Sequence, residues 1–277
     1  MKISLITACF NSEATIRTAI DSVLSQKGVD IEYIVVDGGS KDGTVEIIKE
    51  YAEKTLNSQL LTPNFTFRWL SESDRGMYDA INKGIKMATG DVVGILNADD
   101  VLASDDTLAH IVSAFNTDSY PLAPDSSRID AVYADIRFVM EGETVEAVRK
   151  AETVRYCSAK RWRPWMFRFA AMVPHPSFYV RRECFARLGG YSLDYRICAD
   201  FELELRYLLL AKLRAAYLPE CVVIMRMGGM STSGWRSNLV INREDLRALR
   251  ANGVWSCLPL IYLKYLFKIW GFVFRGQ

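Results

Sequence analysis

Apolar and polar positions alternate along the first hundred residues in a rhythm that predicts strands and helices in turn. ISLITACF (3–10) reads as a strand. Asn11 and Ser12 can then cap a helix running to about Gln26, with Ile16, Ala19, Ile20 and Val23 at helical spacing. IEYIVVDGG predicts a second strand and SKDGTVEIIKEYAEK a second helix. FTFRWLSE predicts a third strand, GMYDAINKGIKMAT a third helix ended by Gly90, and DVVGILNADD a fourth strand. Strands that alternate with helices across short linkers imply parallel βαβ units, and near-continuous apolar strands imply a sheet covered on both faces. The expected fold class is therefore α/β, a Rossmann-like, mostly parallel sheet flanked by helices.

The second half is less regular. SYPLAPDSSR (119–128) reads as a turn-rich insertion. RIDAVYADIRFVM and TVEAVRK flank Glu141-Gly142-Glu143, a pattern that predicts a hairpin. A helix is expected in ADFELELRYLLLAK and a strand in LRAAYLPECVVIMRM. From Trp255 the chain turns strongly apolar, WSCLPLIYLKYLFKIWGFVF, interrupted by Pro259, Lys264 and Lys268. Two lysines four apart share a helical face, and apolar and aromatic residues cover the rest. This suits a helix lying in a membrane interface through 255–274, with packing on the domain or on a second subunit, in a homodimer, as the alternatives.

Composition narrows the classes. A formal net charge of +1 advertises neither nucleic acid nor a polyacidic partner. Six cysteines without a C-x-x-C pair, and only two histidines, argue against zinc and for reduced thiols in the cytoplasm. The N-terminus is too short and too β-branched for a signal peptide, so export is not expected.

Ligands of open α/β sheets bind beyond the C-terminal strand ends. That rule gathers four segments around one crevice: TACFNSE (7–13), VVDGGSKDGT (35–44), SESDRGMYDAINKG (71–84) and NADD (97–100). Strand-end backbone in the first can read a planar base edge. In the second, Gly38 and Gly39 leave room for a molecule to approach the backbone; taken alone, the same residues are equally a turn followed by a helix cap. Asp74 and Arg75 sit at a further strand end, where a solvated salt-bridge loop is the alternative. NADD brings carboxylates to the tip of a buried strand, which is costly unless a charge or donors compensate them.

In this order the four segments resemble glycosyltransferase family 2, over roughly the first 105 residues. The resemblance implies the GT-A fold, with residues 1–105 as the nucleotide-sugar-binding half and 106–235 as the acceptor-binding half. Residues 236–277 follow as an apolar helical extension. It implies inverting transfer of one sugar from a nucleotide-diphosphate sugar to a saccharide hydroxyl. Thr7 and Ala8 would lie under the base, Asp37 on its edge, and Glu13, Asp74 and Arg75 near the nucleotide. Asn97 and Ala98 would sit near the ribose or sugar, and Asp99 would ligate Mn²⁺ or Mg²⁺. Asn97 departs from the commoner D-x-D pattern and adds no negative charge. The base implied for the acceptor hydroxyl is Asp200 in GGYSLDYRICADFELELR, with Ala199 where the family often has Glu; Asp194, Glu202 and Glu204 compete for the role.

His175, between two prolines, is a candidate on the acceptor side, although a lone histidine is more often structural. Gly228, Gly229 and Ser231 lie in a glycine- and hydroxyl-rich loop that can act as a lid or as a plain connector. Lys160-Arg161-Trp162 is set aside as a processive-synthase signature, because Ser158 replaces glutamine and the order is wrong. Many relatives act on lipid-linked saccharides in cell-surface polysaccharide synthesis, so a lipid-linked acceptor at the inner membrane face is expected. The rival readings are a non-catalytic nucleotide-sugar-binding or assembly protein and a nucleotidyltransferase, the latter lacking its basic glycine-rich loop. An NAD-dependent enzyme is a poorer rival still, because no G-x-G-x-x-G follows any strand.

Overall fold

A computed structural model describes residues 1–57, 64–116, 128–227 and 234–265. Its first half follows the alternation of the sequence: β1 (Lys2–Cys9), α1 (Ile16–Leu24), β2 (Asp30–Asp37), α2 (Thr44–Asn57), β3 (Phe65–Ser71), α3 (Met77–Met87) and β4 (Val92–Ile95). β1 lies between β2 and β4, and β3 pairs with the outer edge of β2, all in parallel. Period-two geometry sends Ile34 and Val36 of β2 to one face and Ile31, Tyr33 and Val35 to the other, and both sets are buried. α3 covers the first face; α1 and α2 cover the second.

α1 starts later than expected, because Asn11 and Ser12 are committed elsewhere. Asn11 takes a left-handed φ of 49° and its Oδ1 accepts from the Lys41 amide at 3.0 Å. Ser12 contributes its backbone carbonyl, not its hydroxyl, to the first turn.

The second half adds β5 (Val101–Leu102), α4 (Thr107–Asn116), β6 (Ala131–Val139), α5 (Val145–Lys150), β7 (Arg155–Cys157), β8 (Tyr179–Arg181), α6 (Arg182–Leu188), α7 (Ala199–Glu204), β9 (Ala215–Arg226), α8 (Gly234–Ala251) and α9 (Leu258–Tyr262). One sheet runs β3-β2-β1-β4-β8-β6-β9-β5, with β7 on β6. β8 is antiparallel to both β4 and β6, so the first and second halves of the chain share a single sheet. The close contact there is enforced by size: a Cβ on Gly94 would collide with the ring of Tyr179.

The hairpin expected at 141–143 does not form. TVEAVRK is α5 instead, because Thr144 accepts from the Ala147 amide at 3.2 Å as an N-cap, and Val148 goes into the core. The next strand in sequence to pair antiparallel with β6 is β7, after that helix.

The C-terminal extension is packed on the body. Ile261 is fully buried, and the Ser256 hydroxyl donates to the Arg168 carbonyl at 2.6 Å. Lys264, expected on a basic outer stripe with Lys268, is buried and pairs with buried Asp245 at 2.6 Å. Burial pushes the Asp245 carboxyl up and Lys264 pulls it back. Removing one partner of such a pair typically costs about 3–5 kcal/mol. Of the helix expected over 255–274, the described residues show α9 (Leu258–Tyr262) and helical backbone again at 264–265, and residues 266–274 lie outside them. Lys268, and the lid candidates Gly228, Gly229 and Ser231, lie outside the described residues.

Candidate active site

The strand tips line up as the parallel register demands. Cys9 stands opposite Asp37, and Asp37 opposite Ser71. The Leu96 amide donates to the Ile6 carbonyl at 2.9 Å, which brings the NADD segment beside the end of β1.

Asp37 is buried and organises the loop after β2. Its carboxylate accepts from the amides of Gly39 (3.0 Å) and Ser40 (3.1 Å), and from the hydroxyls of Ser40 and Ser71, the latter at 2.7 Å. The neighbour that needs Gly38 bare is Asp74 of the chain itself, whose Oδ2 would be 2.6 Å from an added Cβ. Asp74 in turn accepts from the Gly76 amide at 2.8 Å. Gly39 has φ 83°, which favours glycine, and packs on Ser73. Glu13 belongs to the same construction, with Oε2 accepting from the Gly43 amide at 2.9 Å. Thr7 is fully buried, its hydroxyl paired with that of Tyr33 at 2.9 Å. Ala8 is half-buried. Arg75 reaches into solvent with its side chain 77% exposed, the one strongly exposed cation of this loop. Phe10, which the sequence reading passed over, stands 60% exposed directly after the tip of β1.

At the NADD turn the carboxylates divide. Asp99 is half-buried, whereas Asp100 is sealed in the interior. Asn97 donates its amide to Asp100 Oδ2 at 2.7 Å, and Asp100 Oδ1 is buried without a partner. Burial, and then the nearby Asp99 charge, push the Asp100 carboxyl well above its ordinary range. Asn97 thus supports Asp100, and a carboxylate there would remove the donor. Behind the turn, Arg226 at the end of β9 donates to the Asp99 carbonyl at 2.5 Å, to Thr18 Oγ1 at 2.8 Å and to the Gly142 carbonyl at 2.8 Å. Arg226 was not foreseen either; its signal was a cation closing the apolar run of residues 221–225.

The candidate bases separate by environment. Glu202 is buried and held by Arg206 at 2.7 Å. Glu204 is fully buried, accepts from the Val173 amide at 3.2 Å and is pushed well up by burial and by the Asp200 charge. Asp194 is exposed on a loop. Asp200 is half-buried at the start of α7, and its Oδ1 accepts from the Phe201 amide at 2.8 Å and from the Tyr78 hydroxyl at 3.1 Å. Among the described residues its Oδ2 accepts nothing. Tyr78, in the first turn of α3, also donates to the Ile197 carbonyl and stacks on Tyr191 at 5.5 Å. His175 is buried and bonded through Nε2 to the Tyr191 hydroxyl at 2.7 Å; burial lowers its pKa and keeps the ring neutral. The structure thus brings His175 to the rear of the Asp200 cluster and not to an open acceptor face.

Residues 4–131 match the Glycosyl transferase family 2 profile. That match spans a little under half of the chain, and there the chain is similar to glycosyltransferase family 2. A PGL/p-HBAD biosynthesis glycosyltransferase of Mycobacterium bovis is 29% identical over 246 residues, covering 89% of this chain and 83% of that one. An uncharacterised glycosyltransferase of Nostoc is 37% identical over 117 residues, 42% of this chain and 34% of its own. A mannosyltransferase from Pyrobaculum calidifontis, in complex with GDP-Man and Mn²⁺, superposes with TM-score 0.61 at 21% identity over 98% of this chain and 72% of that one. S. aureus TarS 1-349 in complex with UDP-GlcNAc gives TM-score 0.60 at 17% identity, over 90% of this chain and 66% of that one. The mixed sheet with flanking helices is the GT-A fold of these neighbours.

No group of three or more His, Cys, Asp or Glu that could hold a metal ion occurs among the described residues. The donor set of the family site nevertheless suits a hard cation of the Mg²⁺ type, which keeps waters and binds through one or two carboxylates plus substrate phosphates. Asp99 supplies one half-exposed carboxylate at a strand tip, and the partnerless oxygen of Asp100 lies directly behind it.

Proposed function

We propose that this enzyme transfers a single sugar, with inversion, from a nucleotide-diphosphate sugar to a hydroxyl of a lipid-linked saccharide. The reaction would serve cell-surface polysaccharide synthesis at the inner face of the membrane. One observation carries the reading: two half-buried carboxylates, Asp99 in the turn after β4 and Asp200 at the start of α7, each lie beside a fully buried acid, Asp100 and Glu204.

In this reading the base and ribose occupy the ends of β1 and β2, over the backbone of Thr7 and Ala8. Asp37 and Glu13 hold the loop, and Arg75, beside Asp74, faces the phosphates. Asp99 would hold a divalent cation together with the donor phosphates, and the cation would offset charge on the leaving diphosphate. Asp200 Oδ2 takes the proton from the acceptor hydroxyl as its oxygen bonds to the anomeric carbon, and the bond from that carbon to the diphosphate oxygen breaks. Tyr78 and the Phe201 amide fix the other carboxylate oxygen, Oδ1.

The test is release of nucleotide from UDP-, GDP-, dTDP- and CMP-sugars with Mn²⁺ or Mg²⁺, repeated with EDTA and with Asp200→Asn. Metal-dependent release of one nucleotide, and transfer abolished in Asp200→Asn with donor binding kept, support the reading. Donor binding without turnover on any lipid-linked saccharide would make this a non-catalytic nucleotide-sugar-binding protein.

A further inference from the structure

α8 has two unlike faces. Its inner face carries Asn242, Asp245, Leu246, Ala248 and Leu249, all buried. Its outer face carries Arg243, Arg247 and Arg250, all exposed and spaced to share one side of the helix. Together with Leu246, Ala251 and Leu258 these arginines line an open groove of ≈ 540 Å³ between α8 and α9. Among the described residues no carboxylate lies within ion-pair distance of any of the three. Arg247 instead donates to the Asp194 carbonyl at 3.2 Å and lies 5.1 Å over the Tyr195 ring. From Leu246 to Gln277 the chain contains no Asp or Glu. Next to the groove, Trp255 (70% exposed), Leu258, Tyr262 and Leu263 present apolar surface to solvent, and Leu258 belongs to both groove and patch.

We propose that this face docks on an anionic lipid bilayer. The guanidinium row meets headgroup phosphates, and Trp255, Leu258, Tyr262 and Leu263 enter the interface beside it. Charge selects this occupant. A second copy would set one arginine-rich face, with Asp194 its exposed acid, against another, and a soluble polyanion offers nothing to four exposed apolar side chains. The inference deepens the lipid-acceptor reading and rests on it for its purpose: Arg247 touches the loop that leads to Asp200, so the docked surface would deliver a lipid-linked acceptor beside the base.

Basic residues near an anionic surface each contribute about fivefold in partitioning, so three together contribute on the order of a hundredfold. The experiment is co-sedimentation of the full chain with vesicles of phosphatidylcholine alone or mixed with phosphatidylglycerol, with nucleotide release measured on the same preparation. Binding is expected to the mixed vesicles. It should fall on the order of a hundredfold in Arg243→Gln/Arg247→Gln/Arg250→Gln, and return in the triple lysine variant, which separates lost charge from lost fold. Equal binding to neutral vesicles, undiminished binding of the glutamine variant, or full competition by inorganic diphosphate would overturn the proposal. So would a dimer that the glutamine variant disperses. Normal nucleotide release without vesicle binding would sink this inference alone. Vesicle binding without nucleotide release from any donor would sink the glycosyl-transfer reading and leave the docking surface standing.

Discussion

Tyr78→Phe isolates one hydrogen bond on the candidate base. The ring stays buried and stacked on Tyr191, so the change removes an oxygen and creates little volume. Asp200 Oδ1 loses a donor at 3.1 Å and keeps the Phe201 amide at 2.8 Å; the Ile197 carbonyl loses its donor as well. A hydrogen bond to a charged group contributes roughly 1.5–3 kcal/mol, and loss of about 2 kcal/mol from the transition state corresponds to roughly thirtyfold in rate. The Ile197 carbonyl should add about 1 kcal/mol of lost stability. The assay is steady-state transfer with donor and acceptor varied separately, alongside a thermal unfolding midpoint. Positioning predicts that kcat falls by more than tenfold while the donor KM stays within about twofold. A lowered midpoint with kcat within twofold of the parent would refute the reasoning and make Tyr78 a packing residue only.

Three further outcomes follow from the same geometry. Glu32 is buried, which pushes its carboxyl up. Donors from Ser4 (2.6 Å), Thr89 (2.7 and 2.9 Å) and Arg68 (3.1 Å) outweigh this and hold it at about 2. Its folded value lies below its ordinary 4.5, so its contribution, about 3 kcal/mol, is complete above that pH and fades as pH falls toward 2. Denaturant midpoints should drop across that window in the parent and much less in Glu32→Gln; equal slopes would contradict the assignment. Gly94→Ala should destabilise by about 1–3 kcal/mol, because β4 cannot leave Tyr179, and an unchanged unfolding midpoint would argue against the packing. Asp99→Asn should raise the Mn²⁺ concentration needed for half-maximal turnover more than tenfold, while the fold, measured by circular dichroism, is kept; an unshifted metal titration would remove Asp99 from the site.

The donor half was legible because its signals are local. Apolar runs, short linkers and strand-end glycines place β1 to β4, and the ligand rule for open sheets then gathers Asp37, Asp74 and Asp99. The failures have local causes too. Val145 and Val148 suggested a strand, but Thr144 caps a helix whose buried face they share in part. Asn11 looked like a cap and serves as an acceptor for another loop. What no local pattern carries is pairing across the chain. Tyr78 finds Asp200 over 122 residues and Arg226 finds Thr18 over 208. Lys264 disappears against Asp245, so an apolar stretch with two lysines read as amphipathic when one lysine faces inward.

α3 starts at Met77, directly after Gly76, and carries Tyr78 in its first turn, so the proposed phosphate-facing Arg75 stands only three positions before the side chain that holds the proposed base Asp200. So short a link has a kinetic corollary. Whatever settles the Asp74–Gly76 loop also settles the proton acceptor, so the donor should bind first and its nucleotide should leave last. Product nucleotide would then compete with the donor but not with the acceptor, and an acceptor analogue would bind weakly until the donor site is filled.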